Sequence, residues 1–232
     1  MGIAWLEWNG ILYWAEYRRK PFEPCSAVTA LVEGVWQLFP PSAHFILRSR
    51  IYSTEPQTQL CRGVVIVCAK RSTQLANVPI EIMNRIRTAD KAVNVGPGEG
   101  RAVALPSIVA SAQRSFVKAE QNRSIECWLV SHEGRLLATA SNTAGRDRTR
   151  HAEMNLMKLW WQRERRPLPR GSRLWVTLEP CAMCAGALWE CVEDRIDFRV
   201  FFLEHDPGSA VARSVLRGHP ILQHCPIFGH GF

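Results

Sequence analysis

Between residues 125 and 204 the spacing of apolar positions switches repeatedly between two periods. "IECWLVS" (residues 125–131) and "LLATAS" (136–141) are short β-forming runs on either side of the turn "HEGR", which predicts a hairpin. "HAEMNLMKLWWQRE" then sets Met154, Leu156, Met157, Trp160 and Trp161 at helical spacing. "RLWVTLE" (173–179) and "RIDFRVFFLE" (195–204) read as strands. A helix opened by Pro180 is expected between them, and another over residues 209–216. Residues 106–118 predict a helix ahead of the hairpin. The order α-β-β-α-β-α-β-α suggests a mostly parallel sheet covered by helices.

The first hundred residues are less regular. Residues 25–39 predict a helix stopped by Pro40 and Pro41, and residues 79–89 a second one. Residues 44–52 and 63–69 predict strands, the latter from the β-branched run in "GVVIVCA". "NVGPGEGR" (94–101) crowds three glycines and a proline together, as a loop and domain boundary would. The chain therefore divides into residues 1–100, an N-terminal α/β domain without an evident site, and residues 101–232. No repeat is apparent. "EPC" at Glu23 to Cys25 echoes the later "EPC" at 179–181, but Val28 stands where a second cysteine would be. Coincidence is the simpler explanation; a degenerate duplication is the alternative.

Composition narrows the class. Of 232 residues, 47% are apolar and 22% charged, as in soluble globular proteins. No run reaches the roughly 20 apolar residues of a membrane-spanning helix. The opening "MGIAWLEWNG" lacks secretory-peptide features, and Leu6 breaks the myristoylation pattern, so a cytoplasmic protein with no membrane partner is expected. Eight cysteines are too sparse for a disulfide scaffold, so a close pair points to metal or catalysis. The net charge of +8 suits a nucleic acid or nucleotide.

That close pair is Cys181 and Cys184. Three residues apart on a helix starting at Pro180, their sulfurs share one face, and the helix N-terminus favours the thiolate. His151 and Glu153 open the preceding helix. Consecutive strand-to-helix units bring both helix N-termini to the same sheet edge. One imidazole and two thiolates make three zinc ligands with a fourth position open, as in catalytic sites. Glu153 is then placed to carry a proton. The competing readings are a pair of buried small side chains and a structural zinc module. The latter would need a fourth ligand, and Cys191 lies roughly 10 Å further along the helix axis.

"HAE" at 151–153 with "PCAMC" at 180–184 resembles the zinc-dependent cytidine/deoxycytidylate deaminase superfamily. "TLEPCAMCAGA" is most similar to tRNA adenosine deaminases, and "HAEMN" to deoxycytidylate deaminases. The resemblance implies a three-layer α/β/α mixed sheet, with one catalytic Zn2+ on His151, Cys181 and Cys184. It also implies Glu153 as proton shuttle, hydrolytic attack on C4 of cytosine or C6 of adenine, and release of ammonia. The backbone N–H at Ala152 and the side chain of Asn142 would hold the base, and Asp147 would be a loop or cap residue. Relatives of this kind self-associate, so a homodimer, or packing of the N-terminal domain on the catalytic one, is expected. The favoured substrate is adenosine or cytidine in tRNA or a single strand. A free base, nucleoside or nucleotide, and a non-catalytic zinc-binding scaffold, are the alternatives.

Three further features invite readings. Arg146, Arg148 and Arg150 alternate in "GRDRTRH", as a phosphate grip or as a solvated loop with one arginine paired to Asp147. Trp160 and Trp161 are expected in the core or at an interface rather than as base-stacking platforms. His219, His224, Cys225 and His230 match no standard metal spacing, and a tail or lid is expected there.

Overall fold

A computed structural model describes residues 1–39, 46–97, 125–143 and 147–225. They form two five-stranded mixed sheets joined by one hydrophobic core. The first sheet contains β1 (Gly2–Trp8), β2 (Ile11–Tyr17), β3 (Arg50–Ser53), β4 (Arg71–Gln74) and β5 (Ala92–Asn94), in the order β4-β3-β1-β2-β5. Its helices are α1 (Ala27–Leu38), α2 (Gln59–Cys68) and α3 (Ile80–Thr88). The second contains β6 (Glu126–Val130), β7 (Leu136–Ser141), β8 (Arg173–Leu178), β9 (Arg199–Glu204) and β10 (Leu222–His224), in the order β10-β9-β8-β6-β7. It carries α4 (Ala152–Glu164) and α5 (Ala182–Cys191). The architecture is the mixed α/β one expected. The second sheet is evenly mixed rather than mostly parallel: β6 runs antiparallel to β7 and β8, while β8, β9 and β10 are parallel.

The hairpin β1–β2 was not expected from the sequence. Its turn is Asn9-Gly10, with φ of 51° and 71°, the conformation that twists two strands together. Ala4, Trp5 and Leu6 are buried in succession, so the strand shows no polar alternation by which to recognise it.

The strand expected at residues 63–69 is part of α2. Thr58 caps this helix, its side chain accepting from the Cys61 N–H at 3.3 Å. The β-branched residues Val64 and Val65 are buried by packing against the rest of the core, which outweighs their mild preference for strands. The helix expected over 209–216 is a three-residue 3-10 turn, Val211–Arg213. Pro207 and Gly208 before it and Gly218 after it leave too short a run for a stable α-helix. The strand expected over 44–52 begins at Arg50. The helix expected at 106–118 lies outside the described residues, as do residues 98–101 of the proposed boundary.

The two halves meet where α2 crosses α5. A Cβ on Gly63 would lie 2.3 Å from the Ala182 carbonyl oxygen, and one on Gly186 would lie 2.3 Å from that of Gln59. The helices therefore touch backbone to backbone, at a distance only glycine allows. Polar ties reinforce the contact: Glu190 on α5 accepts from the Leu60 N–H at 2.7 Å and pairs with Arg19. Trp161 of α4 is buried and donates to Glu23 at 2.9 Å. Trp160 is also buried, donating to the Arg166 and Pro167 carbonyls at 3.1 Å. Both indoles thus serve packing, one of them between the halves. Among the described residues no helix is long and apolar enough to cross a membrane.

Candidate metal centre

Two helix N-termini build the site. His151 occupies the N-cap position of α4, and Cys181 that of α5, two places earlier in the helix than a start at Pro180 would put it. Cys184 follows in the first turn of α5. Both helices begin where strands of the second sheet end, so residues separated by 30 positions converge.

The convergence is tight. The Cys181 sulfur lies 3.4 Å and the Cys184 sulfur 3.5 Å from His151 Nδ1, and the sulfurs are 3.6 Å apart. Among the described residues this is the group of three metal-ligating side chains close enough to share an ion. Standard Zn–S and Zn–N bonds in a tetrahedron put such ligand atoms about 3.6–3.8 Å apart, close to the separations found. The donor set fits zinc for a second reason. Cys181 and Cys184 are buried, as is Glu153, so anionic groups are packed together where a cation would balance them.

The electrostatics of the site show this crowding. Hydrogen bonding from Cys184, against the cost of burial and helped by His151, holds the Cys181 thiol well below its ordinary range. Burial and the neighbouring Cys181 sulfur push Cys184 up. Burial disfavours the His151 cation, but the Cys181 thiolate outweighs it and lifts the imidazole to about 9. Burial, and then the Cys181 charge, raise Glu153 to about 7.

The loop before α4 is organised by Asp147. Its Oδ1 accepts from the Thr149 N–H at 2.9 Å and hydroxyl at 2.6 Å, and its Oδ2 pairs with Arg150 Nε at 3.2 Å. Arg150 remains half exposed. Arg148 is partly buried, and Arg146 lies outside the described residues. Asn142 accepts from the Ile125 N–H through its amide oxygen at 3.1 Å, closing the open end of the β6–β7 hairpin. Ala152, the first residue of α4, is fully buried.

Asn155 was not singled out from sequence. Its amide donates to the Ser141 carbonyl at 2.9 Å and the Thr143 hydroxyl at 3.0 Å, tying the end of β7 to α4. Its place in "HAEMN" was the available signal. Glu179, directly before Pro180, is a second such residue: it is buried and bonds His205 Nδ1 at 2.9 Å. With Asp206, Arg217 and His224 these two line a cavity of about 590 Å³.

Among the described residues the C-terminal histidines form no second metal-ligating cluster. His219 packs edge-on against Trp189, whereas His224 lies against His205 and Phe202. His230 is outside the described residues.

The chain is similar to known deaminases. The family of Bd3614-like deaminases matches residues 116–225. A tRNA-specific adenosine deaminase from Aquifex aeolicus is 32% identical over 128 residues, covering 54% of this chain and 81% of that protein. Among solved structures, one from a study of A-to-I editing by tRNA deaminases at the wobble position of transfer RNA is 31% identical. It covers 44% of this chain and 78% of its own, with a TM-score of 0.32. The dCMP deaminase of cyanophage S-TIM5 is 13% identical, covering 64% of this chain and all of its own, with a TM-score of 0.35.

Proposed function

Since the chain belongs to the cytidine deaminase-like superfamily, we propose that it is a zinc-dependent hydrolytic deaminase of a nucleobase amino group. Its substrate would be adenosine or cytidine within a nucleic acid. The observation that carries this reading is the approach of His151 Nδ1 and the two sulfurs to within 3.4–3.6 Å, with the buried Glu153 two residues from the histidine.

His151, Cys181 and Cys184 would hold the zinc. When bound, the ion would supply Lewis acidity that makes a water nucleophilic near neutral pH. Glu153 does the proton work. Its carboxylate takes a proton from the attacking water and delivers it to the ring nitrogen beside the amino-bearing carbon. A second proton passes by the same oxygen to the departing amine, so water plus the amino base yields the carbonyl base plus ammonia. Ala152, Met183 and Cys184 are fully buried, so the ligand set is backed by packed core and not by bulk solvent.

A polynucleotide substrate is supported by the +8 net charge and by the tRNA-specific relative. Arg148 and Arg150, on the loop leading into His151, would meet phosphate. Replacing both with Ala should weaken binding to a single-stranded oligonucleotide and reduce the slope of log K against log salt by up to about 2, one per phosphate contact. Unchanged affinity and slope would remove them from the interface.

The functional reading is tested by ammonia release from bases, nucleosides, nucleotides, single-stranded oligonucleotides and tRNA, with metal content measured alongside. The expected result is turnover of a polynucleotide, about one zinc per chain, and loss of turnover on chelation. Turnover confined to a free nucleoside or nucleotide would reject the polynucleotide assignment. A metal-free protein that still releases ammonia would reject the zinc assignment.

A further inference from the structure

We infer that residues 2–94 are a second, degenerate copy of the deaminase unit, which has lost its metal ligands and packs on the other copy as one subunit of a dimer packs on its twin. The inference extends the deaminase reading of residues 126–224 and rests on it.

Topology is the first observation. β1, β2, α1, β3, α2 and β4 follow the same order as β6, β7, α4, β8, α5 and β9. Four strands of each sheet sit in the same sequence, β4-β3-β1-β2 against β9-β8-β6-β7. Their directions agree at every step: the first strand is antiparallel to the second and third, and the third is parallel to the fourth. α1 lies over β1 and β2 as α4 lies over β6 and β7. The copies diverge in the fifth strand, which joins β2 in one sheet and β9 in the other.

The helix caps then set a residue register without reference to identity. Ser26 occupies the N-cap position of α1 as His151 does that of α4, and Thr58 that of α2 as Cys181 does that of α5, although only Ser26 and Thr58 cap through their side chains. In that register Cys61, Gly63 and Cys68 fall on Cys184, Gly186 and Cys191. Ala27, Leu31, Trp36 and Gln37 fall on Ala152, Leu156, Trp161 and Gln162. Glu55-Pro56 precedes α2 as Glu179-Pro180 precedes α5, with Gln57 as one extra residue. The "EPC" at Glu23 to Cys25 is not part of the repeat, because it precedes α1, the counterpart of α4.

The packing is reciprocal. Gly63 abuts Ala182 and Met183; Gly186 abuts Gln59 and Leu60. Gln59 and Leu60 are the counterparts of Ala182 and Met183. Each copy thus offers the same patch to the other, the mark of a two-fold interface. The ion pair Glu33–Lys158 joins two counterpart positions directly.

The first copy's site has kept its convergence but not its chemistry. Ser26, Val28 and Thr58 replace His151, Glu153 and Cys181, while Cys61 remains. Cys61 Sγ lies 3.4 Å from both the Ser26 and the Thr58 hydroxyls. Two neutral hydroxyls and one thiol are poor zinc donors, and buried Val28 can carry no proton.

Restoring ligands tests this. Ser26→Cys with Thr58→Cys, both nearly isosteric, would give three thiols with Cys61. Cobalt(II) bound per folded full-length chain should rise from about one to about two equivalents, with added thiolate-to-cobalt absorption. Ser26→His with Thr58→Cys is the second variant, should the first fail to fold. A folded variant that binds no more cobalt than the unaltered protein overturns the duplication. An unaltered protein that binds none counts against the deaminase reading instead, and the increment in the variant still decides the duplication.

Discussion

Glu153→Ala should lower turnover by about 10²–10⁴-fold, the usual worth of a positioned acid–base group, while leaving the zinc content unchanged. The separation follows from the geometry. The three ligand atoms lie 3.4–3.6 Å from one another, so the ligand set is complete without the carboxylate. Glu153 is buried, and truncation leaves a small void but no unpaired charge, so the fold should survive. Steady-state kinetics on the preferred substrate, with metal analysis of the same sample, checks both halves. Retained turnover would end the proton-shuttle assignment. Loss of zinc together with activity would show that the carboxylate helps hold the ion.

Gly186→Val should strongly destabilise the fold. Its Cβ would lie 2.3 Å from the Gln59 carbonyl oxygen and 2.6 Å from the Gln59 carbonyl carbon, both backbone atoms of the opposing helix. A side chain could rotate away; a capped helix cannot move without disturbing the core it buries. Overpacking costs about 1–3 kcal/mol where side chains yield, and this contact should exceed that range. At about 2–4 °C per kcal/mol for a chain this size, the melting temperature should fall by about 6 °C or more. Gly63→Val should behave alike and also displace the start of α5, because its Cβ would lie 2.6 Å from Met183 Cα, next to Cys184. It should therefore lower metal affinity as well as stability. Thermal unfolding and zinc titration of both variants measure this; melting within 2 °C of the unaltered protein would show that the helices do not meet so closely.

Legibility from sequence differed sharply between regions. The β6–β7 hairpin, α4, β8 and β9 were legible because each carries a local signal: alternation, a helical period or a turn. The two ligand motifs were legible for the same reason, since each sits on one helix start. α2 was misread because "GVVIVCA" has strand-like composition and its partner, α5, is more than a hundred residues away. The hairpin at Asn9-Gly10 carried its turn signal, but strands buried on both faces hid the alternation. The repeat was hidden more deeply. Few residues persist between the copies, and they are helix-facing ones such as Gly63 and Gly186, whose meaning is a contact between helices.

The amino-acid sequence by itself determined which residues could do chemistry: a histidine, two cysteines and a glutamate, at the starts of two helices that each follow a strand. Those choices are local, because capping and helical spacing act over a few residues. Only the tertiary structure decided that the histidine and sulfurs meet within 3.6 Å, that α2 is a helix, and that the first half of the chain mirrors the second. Those outcomes depend on burial against distant partners, and the free energy of such contacts is written in no single stretch of the chain.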